Sequence, residues 1–163
     1  MLHLLNYLIC SILKDKEDVV YVAMKQRSKF EGWLKLELAY KLSKYCKDVH
    51  MEHSKNGQFV DIYADGSLIE LKTPNTNYRA DAVDKKTRPI TNNIQSIVKD
   101  IQKLKNLANS TGGKYVAFVI FPIDNAGAYK EHLDKIRGHC MDVVEKELDV
   151  SDIPVLVCTA SCK

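Results

Sequence analysis

Asp61 and the run Glu70-Leu71-Lys72 place two carboxylates and an ammonium on either side of a turn signal. Phe59 to Tyr63 and Leu68 to Thr73 are rich in β-branched and aromatic residues, and Ala64-Asp65-Gly66-Ser67 separates them. Asp-Gly between two such runs is a strong hairpin signal. With Asp65 and Gly66 as the central turn residues, Ala64 faces Ser67, Tyr63 faces Leu68, Ile62 faces Ile69 and Asp61 faces Glu70. Directly opposed strand residues lie about 4.5–5.5 Å apart at Cβ, so two acids are expected side by side. Alternation puts Lys72 on the face of Glu70, and Ile62, Ile69 and Leu71 on the other. Opposed like charges destabilise a sheet, so the pair calls for a compensating cation or a raised pKa. Lys72 supplies part of that compensation. A hard divalent cation such as Mg²⁺, which binds one or two carboxylates plus waters and phosphate oxygens, suits the remainder.

The elements around this hairpin follow from periodicity. Phe30, Leu34, Leu38, Leu42 and Tyr45 recur at helical spacing, and Trp33, Leu36 and Tyr40 on the other side predict a helix covered on both faces. Val49 to His53 reads as a short strand ended by Ser54-Lys55-Asn56-Gly57. A polar, basic loop is expected from Pro74 to about Pro89, then a helix from Asn93 to Ala108 with Ile94, Ile97, Val98, Ile101 and Leu104 buried. Tyr115 to Phe121 reads as a central strand, Tyr129 to Leu148 as a helix, and Pro154 to Thr159 as a last strand.

Asp61 on one strand and Glu70-Leu71-Lys72 on the next, between a helix carrying an acid and a following long helix, resemble the PD-(D/E)xK nuclease superfamily. Restriction endonucleases and archaeal Holliday-junction resolvases belong to it. Val60 stands where the proline of the family's name would be. The resemblance spans Phe30 to Phe121 and implies an α/β fold: a restriction endonuclease-like αβββαβ core, with a mixed central sheet flanked by helices and an extra N-terminal helix. One domain is expected over residues 1–163, with a helical extension at 1–29, a catalytic core at 30–121, and a C-terminal helix and strand at 122–163. The resemblance also implies Asp61 and Glu70 as metal ligands with the Leu71 carbonyl beside them, and Lys72 orienting the attacking water. The activity implied is Mg²⁺-dependent hydrolysis of DNA phosphodiester bonds, endonucleolytic, with Mn²⁺ able to substitute. A non-catalytic nucleic-acid-binding or assembly protein on the same fold is the alternative.

Many members carry a further acid on the first helix. Glu31 lies within the apolar stripe, where an uncompensated carboxylate is costly, and is preferred. Glu37 stays open, although an i,i+4 pair with Lys41 explains it equally. Gln95 corresponds to a glutamine that some members place beside the site, and with Asn92 as N-cap it would also close a capping box. Lys99 stands where the exonuclease-like branch carries a tyrosine. Tyr78, Arg79, Lys85, Lys86 and Arg88 in the loop are candidates for phosphate contacts, which position a substrate without reading its bases.

Composition sets the frame. A chain of 163 residues, 45% hydrophobic, can bury one core. Its net charge of +3 is modest, yet Lys72 to Lys105 holds eight Lys or Arg against three acids, a surplus of +5 that leaves −2 for the rest. A positive field beside paired acids suits a phosphate backbone. Five cysteines without C-x-x-C spacing argue against a disulfide framework or a structural zinc site and for reduced thiols in a cytoplasmic protein. His50 and His53 flank Glu52, but the segment reads as an edge strand rather than a metal site. Met1 to Leu13 is too short to span a bilayer, and Leu2, Leu5, Ile9 and Ile12 predict a helix on the core, so no membrane partner is expected. A symmetric homodimer is the simplest arrangement for cutting both strands of a duplex.

Overall fold

The computed structural model describes residues 1–55, 57–84, 90–107, 110–124 and 126–162. Three helices come first: α1 (Leu2–Asp15), α2 (Glu17–Lys25) and α3 (Glu31–Leu42). Strands β1 (Val49–Lys55), β2 (Gln58–Ala64) and β3 (Ser67–Lys72) follow, then α4 (Ile90–Asn106), β4 (Gly113–Ile120), α5 (Tyr129–Arg137), β5 (Cys140–Val150) and β6 (Ile153–Cys162). The strands form one mixed sheet in the order β1-β2-β3-β4-β6-β5, in which only β3 and β4 run parallel.

Each face of the sheet has its own core. On one side Leu5, Ile9 and Ile12 of α1, Val20 and Met24 of α2, and Leu34 and Leu38 of α3 pack on Ile62, Ile69, Leu71, Ala117, Val119 and Val157. On the other, Ile94, Ile97, Ile101 and Leu104 of α4 and Leu133 and Ile136 of α5 pack on Leu68, Val116, Phe118, Ile120 and Leu156. The strand parity expected for Ile62, Ile69 and Leu71 therefore holds.

The Asp65-Gly66 turn forms with both residues at positive φ, 44° and 86°, which matches the right-handed twist of the flanking strands. A side chain at Gly66 would collide with Thr111, so the position also needs the absence of a Cβ.

Three expectations fail. Two helices, α1 and α2, precede α3 where one extra helix was expected. The stretch Tyr129 to Leu148 is not one helix: α5 stops at Gly138, and Cys140–Val150 is a strand paired with β6. The turn between them uses Ser151 and Asp152, both at positive φ without a glycine. Glu17 of α2 braces it by accepting from the Ser151 N–H at 2.6 Å and its hydroxyl at 2.8 Å. Tertiary contact thus supplies what the local sequence does not advertise. Helix α3 is covered on one face only, with Leu36 55% and Tyr40 60% exposed. Among the described residues no helix is long and apolar enough to cross a membrane.

Candidate active site

The β2–β3 ladder runs from Ala64↔Ser67 through Tyr63↔Leu68 to Ile62↔Ile69 and stops. Asp61 and Glu70 are the next opposed positions. Hydrogen-bonded and non-bonded pairs alternate along an antiparallel ladder, so Leu71 is the next residue of β3 due to bond across to β2. Its N–H instead donates to Asp61 Oδ2 at 2.8 Å. A side-chain oxygen replaces a backbone carbonyl, and the sheet opens at the row that carries the two acids. The N–H and C=O of an extended residue face the same strand edge, so the Leu71 carbonyl lies on that opened edge as well.

Glu70 is 3% exposed, and Lys103 Nζ of α4 lies 2.5 Å from its Oε1. Burial pushes its carboxyl up to about 7 against the pull of Lys103, with Asp61 and then Asp100 adding like charge. Lys72 Nζ stands between Glu31 Oε1 at 3.2 Å and Asp100 Oδ2 at 3.4 Å. Burial alone would lower the Lys72 ammonium's pKa; Glu31 and Asp100 outweigh it and hold it above its ordinary value. The Asp100 carboxyl is raised, chiefly by burial, with Lys72 opposing.

Helix α3 reaches the site because the Phe30 N–H donates to Thr73 Oγ1 at 3.2 Å, tying the start of the helix to the residue after Lys72. Glu31 is thereby the helix acid that meets Lys72, while Glu37 lies further along α3. One turn after Glu31, Lys35 pairs with Glu52 of β1 and lies 3.4 Å from Asp61 Oδ1. Burial pulls the Lys35 pKa down, but Glu52 and Asp61 raise it overall.

Gln95 is not brought to this cluster. It is exposed and lines a groove with Val98, Lys99, Lys135 and His139 on the α5 side of α4. Five residues separate it from Asp100, which on a helix sets the two about 140° apart. Helix α4 begins at Ile90, so Asn92 is no N-cap and the capping box does not form either. Tyr78 packs against the α4–α5 core, and Arg79 lines a cavity with Asp81, Ile123 and Asp124. The Arg27 guanidinium fastens this loop by donating to the carbonyls of Tyr78 at 2.7 Å and Asp84 at 2.8 Å. Lys85, Lys86 and Arg88 lie outside the described residues.

Lys35, Asp100 and Lys103 complete the cluster without having been singled out from the sequence, and Glu52, weighed there only with His50 and His53 and set aside, joins them. Asp100 and Lys103 border the stripe Ile97, Ile101 and Leu104, as Glu31 borders that of α3. Charged residues edging an apolar stripe were the available signal.

The donor chemistry can be weighed against a metal. Among the described residues, no three His, Cys, Asp or Glu side chains stand close enough together to hold an ion. The groups themselves suit a hard cation: the Asp61 and Glu70 carboxylates and the Leu71 carbonyl, with the Glu70 pKa raised chiefly by its burial. Each of the two acids is partnered by a lysine on a flexible stem, Lys35 or Lys103. In comparisons with protein-family models, curated proteins and solved structures, nothing matches this chain.

Proposed function

We propose that the chain is a metal-dependent deoxyribonuclease with a restriction endonuclease-like core, acting endonucleolytically. One observation carries the reading: Asp61 and Glu70 occupy opposed positions where the β2–β3 ladder breaks, with Lys72 fixed beside them between Glu31 and Asp100. The run α3, β1, β2, β3, α4, β4 also supports an αβββαβ core.

Asp61, Glu70 and the Leu71 carbonyl would hold Mg²⁺ or Mn²⁺, with Glu31 at the edge. Bound there, the metal would acidify a water and polarise a phosphoryl oxygen. Lys72, its direction set by two carboxylates, offers a preorganised positive charge to the phosphate and to the attacking oxygen. Asp100 holds Lys72 in place. Asp61 does double service, since its hydrogen bond to Leu71 keeps the strand edge open.

A second reading, a nucleic-acid-binding protein without catalysis, is favoured by the lysine already paired with each acid. Cleavage of plasmid and branched DNA with Mg²⁺ or Mn²⁺, by wild type, Asp61→Asn and Lys72→Ala, separates the two. The nuclease reading expects cutting by wild type and a loss of about 10²–10³-fold in each variant. Equal activity in all three would remove the site, and tight DNA binding by wild type with no cutting under any metal would favour the second reading.

A further inference from the structure

Regular alternation fails on β1 and β2 at a single row. Glu52, opposite Asp61, has φ +51°, a left-handed conformation that costs a non-glycine residue about 1 kcal/mol or more. The pairs on either side, Met51↔Ile62 and His53↔Val60, keep one register. Facing nevertheless changes across the row: Ile62 and Ala64 belong to the core under α1 to α3, while Val60 belongs to the core under α4 and α5. The same reversal brings His53 beside His50 and Tyr63, although residues three apart on a regular strand face opposite ways. The His53 and Tyr63 rings stack at 4.6 Å and 28°. The His50 ring lies 6.2 Å from that of His53 and 6.0 Å from that of Tyr63.

At His50, His53 and Tyr63 this face is partly open, although Val60 on the same face is buried in the α4–α5 core. Helix α3 packs on β1 and β2 from the opposite side, whereas α4 lies over β3, β4 and β6, and α5 over β5. His50 is exposed, and His53 and Tyr63 are half-buried. His53 follows Glu52, which pairs with Lys35, and Lys35 lies 3.4 Å from Asp61; Tyr63 lies two residues along β2 from Asp61. Lys103, 32% exposed, adds an ammonium on the same side of the sheet.

We propose that His50, His53 and Tyr63 form a stacking platform for unpaired bases of the strand whose phosphodiester is engaged at Asp61, Glu70 and Lys72. The proposal rests on the nuclease reading and names its substrate class as DNA with a single-stranded segment next to the cut. Flat rings beside a phosphate-binding site suit bases, because every base offers a π-face and stacking tolerates any sequence. Lys35 pairs with the Glu52 carboxylate beside this row.

The test is fluorescence anisotropy in EDTA, so that nothing is cut, using the full chain with a labelled single-stranded oligonucleotide and its matching duplex. His53→Ala is expected to weaken single-strand binding about 5- to 100-fold and His53→Tyr to restore it, while duplex binding stays unchanged. The salt dependence of single-strand binding should keep its slope, because no phosphate contact is removed. A 2-aminopurine probe should lose fluorescence on wild type and regain it on His53→Ala. Unchanged single-strand affinity in His53→Ala, an equal fall for duplex, or no single-strand binding by wild type would each overturn the platform. Cleavage by wild type together with any of these results would leave the nuclease reading standing, and only the cleavage assay can remove that reading.

Discussion

The β5–β6 and β2–β3 hairpins turn through two residues of positive φ, and there the likeness ends. From Val143↔Ala160 to Val150↔Ile153 the β5–β6 ladder keeps eight consecutive pairs. The β2–β3 ladder gives way after its third, where the Asp61 carboxylate takes the bond a backbone carbonyl would have made. β5, at the edge of the sheet, holds its pairing with β6 through that whole run. The β2–β3 hairpin leaves a strand edge open, crowds acids beside it, and balances them with lysines from α3 and α4. A fold can carry such a row because the next strand, β4, is buried on both faces from Val116 to Ile120.

The contrast can be broken by mutation. On the cohesive side, Leu156→Ala should cost about 2–5 kcal/mol, since Leu156 is buried in the α4–α5 core. Denaturant unfolding checks the cost, and cleavage per folded molecule should not change. On the opened side, Glu70→Gln should do the reverse and stabilise. The folded-state pKa of Glu70 is raised to about 7 from an ordinary value near 4.5. Between those values the native protein keeps a proton that the unfolded chain has released, so wild-type stability falls as pH rises through that window and is level above it. Glu70→Gln removes this dependence. Its gain should be about 1–3 kcal/mol at pH 8 and vanish near pH 4.5. Melting curves that showed a larger gain at the acid end would contradict the burial argument. Activity should be lost in the same variant at every pH.

Smaller effects sharpen the comparison. Asp100→Asn removes one of the two acids that direct Lys72, and should cut kcat about 10-fold or more while leaving DNA affinity nearly unchanged. A fall in affinity with kcat intact would assign Asp100 to binding instead. Gln95→Ala should stay within about 0.5 kcal/mol of wild type in stability and equal it in cleavage, as an exposed side chain on the far side of α4.

The opened hairpin was the more legible of the two. Asp65-Gly66 announces its turn, and counting outward from that turn opposes Asp61 to Glu70 without any tertiary information. Ser151-Asp152 announces nothing, because its left-handed backbone is held by Glu17 from a distant helix, and β5 therefore read as part of a helix. Glu31 could be preferred to Glu37, which stayed open, because it sits in an apolar stripe. Gln95 misled because its spacing fitted a helix that begins three residues earlier than expected. The lysines that complete the site come from α3 and α4, and only the packing of those helices across the sheet shows which acid each one meets.

We propose the row opened by Asp61 as a metal site. Its most direct test is a crystal of the wild-type protein soaked in Mn²⁺, with anomalous scattering used to locate the ion. A manganese peak is expected between Asp61, Glu70 and the Leu71 carbonyl, with Lys103 displaced from Glu70, and no peak in Asp61→Asn. A fully soaked crystal with Lys103 still on Glu70 and no manganese on that edge would contradict it.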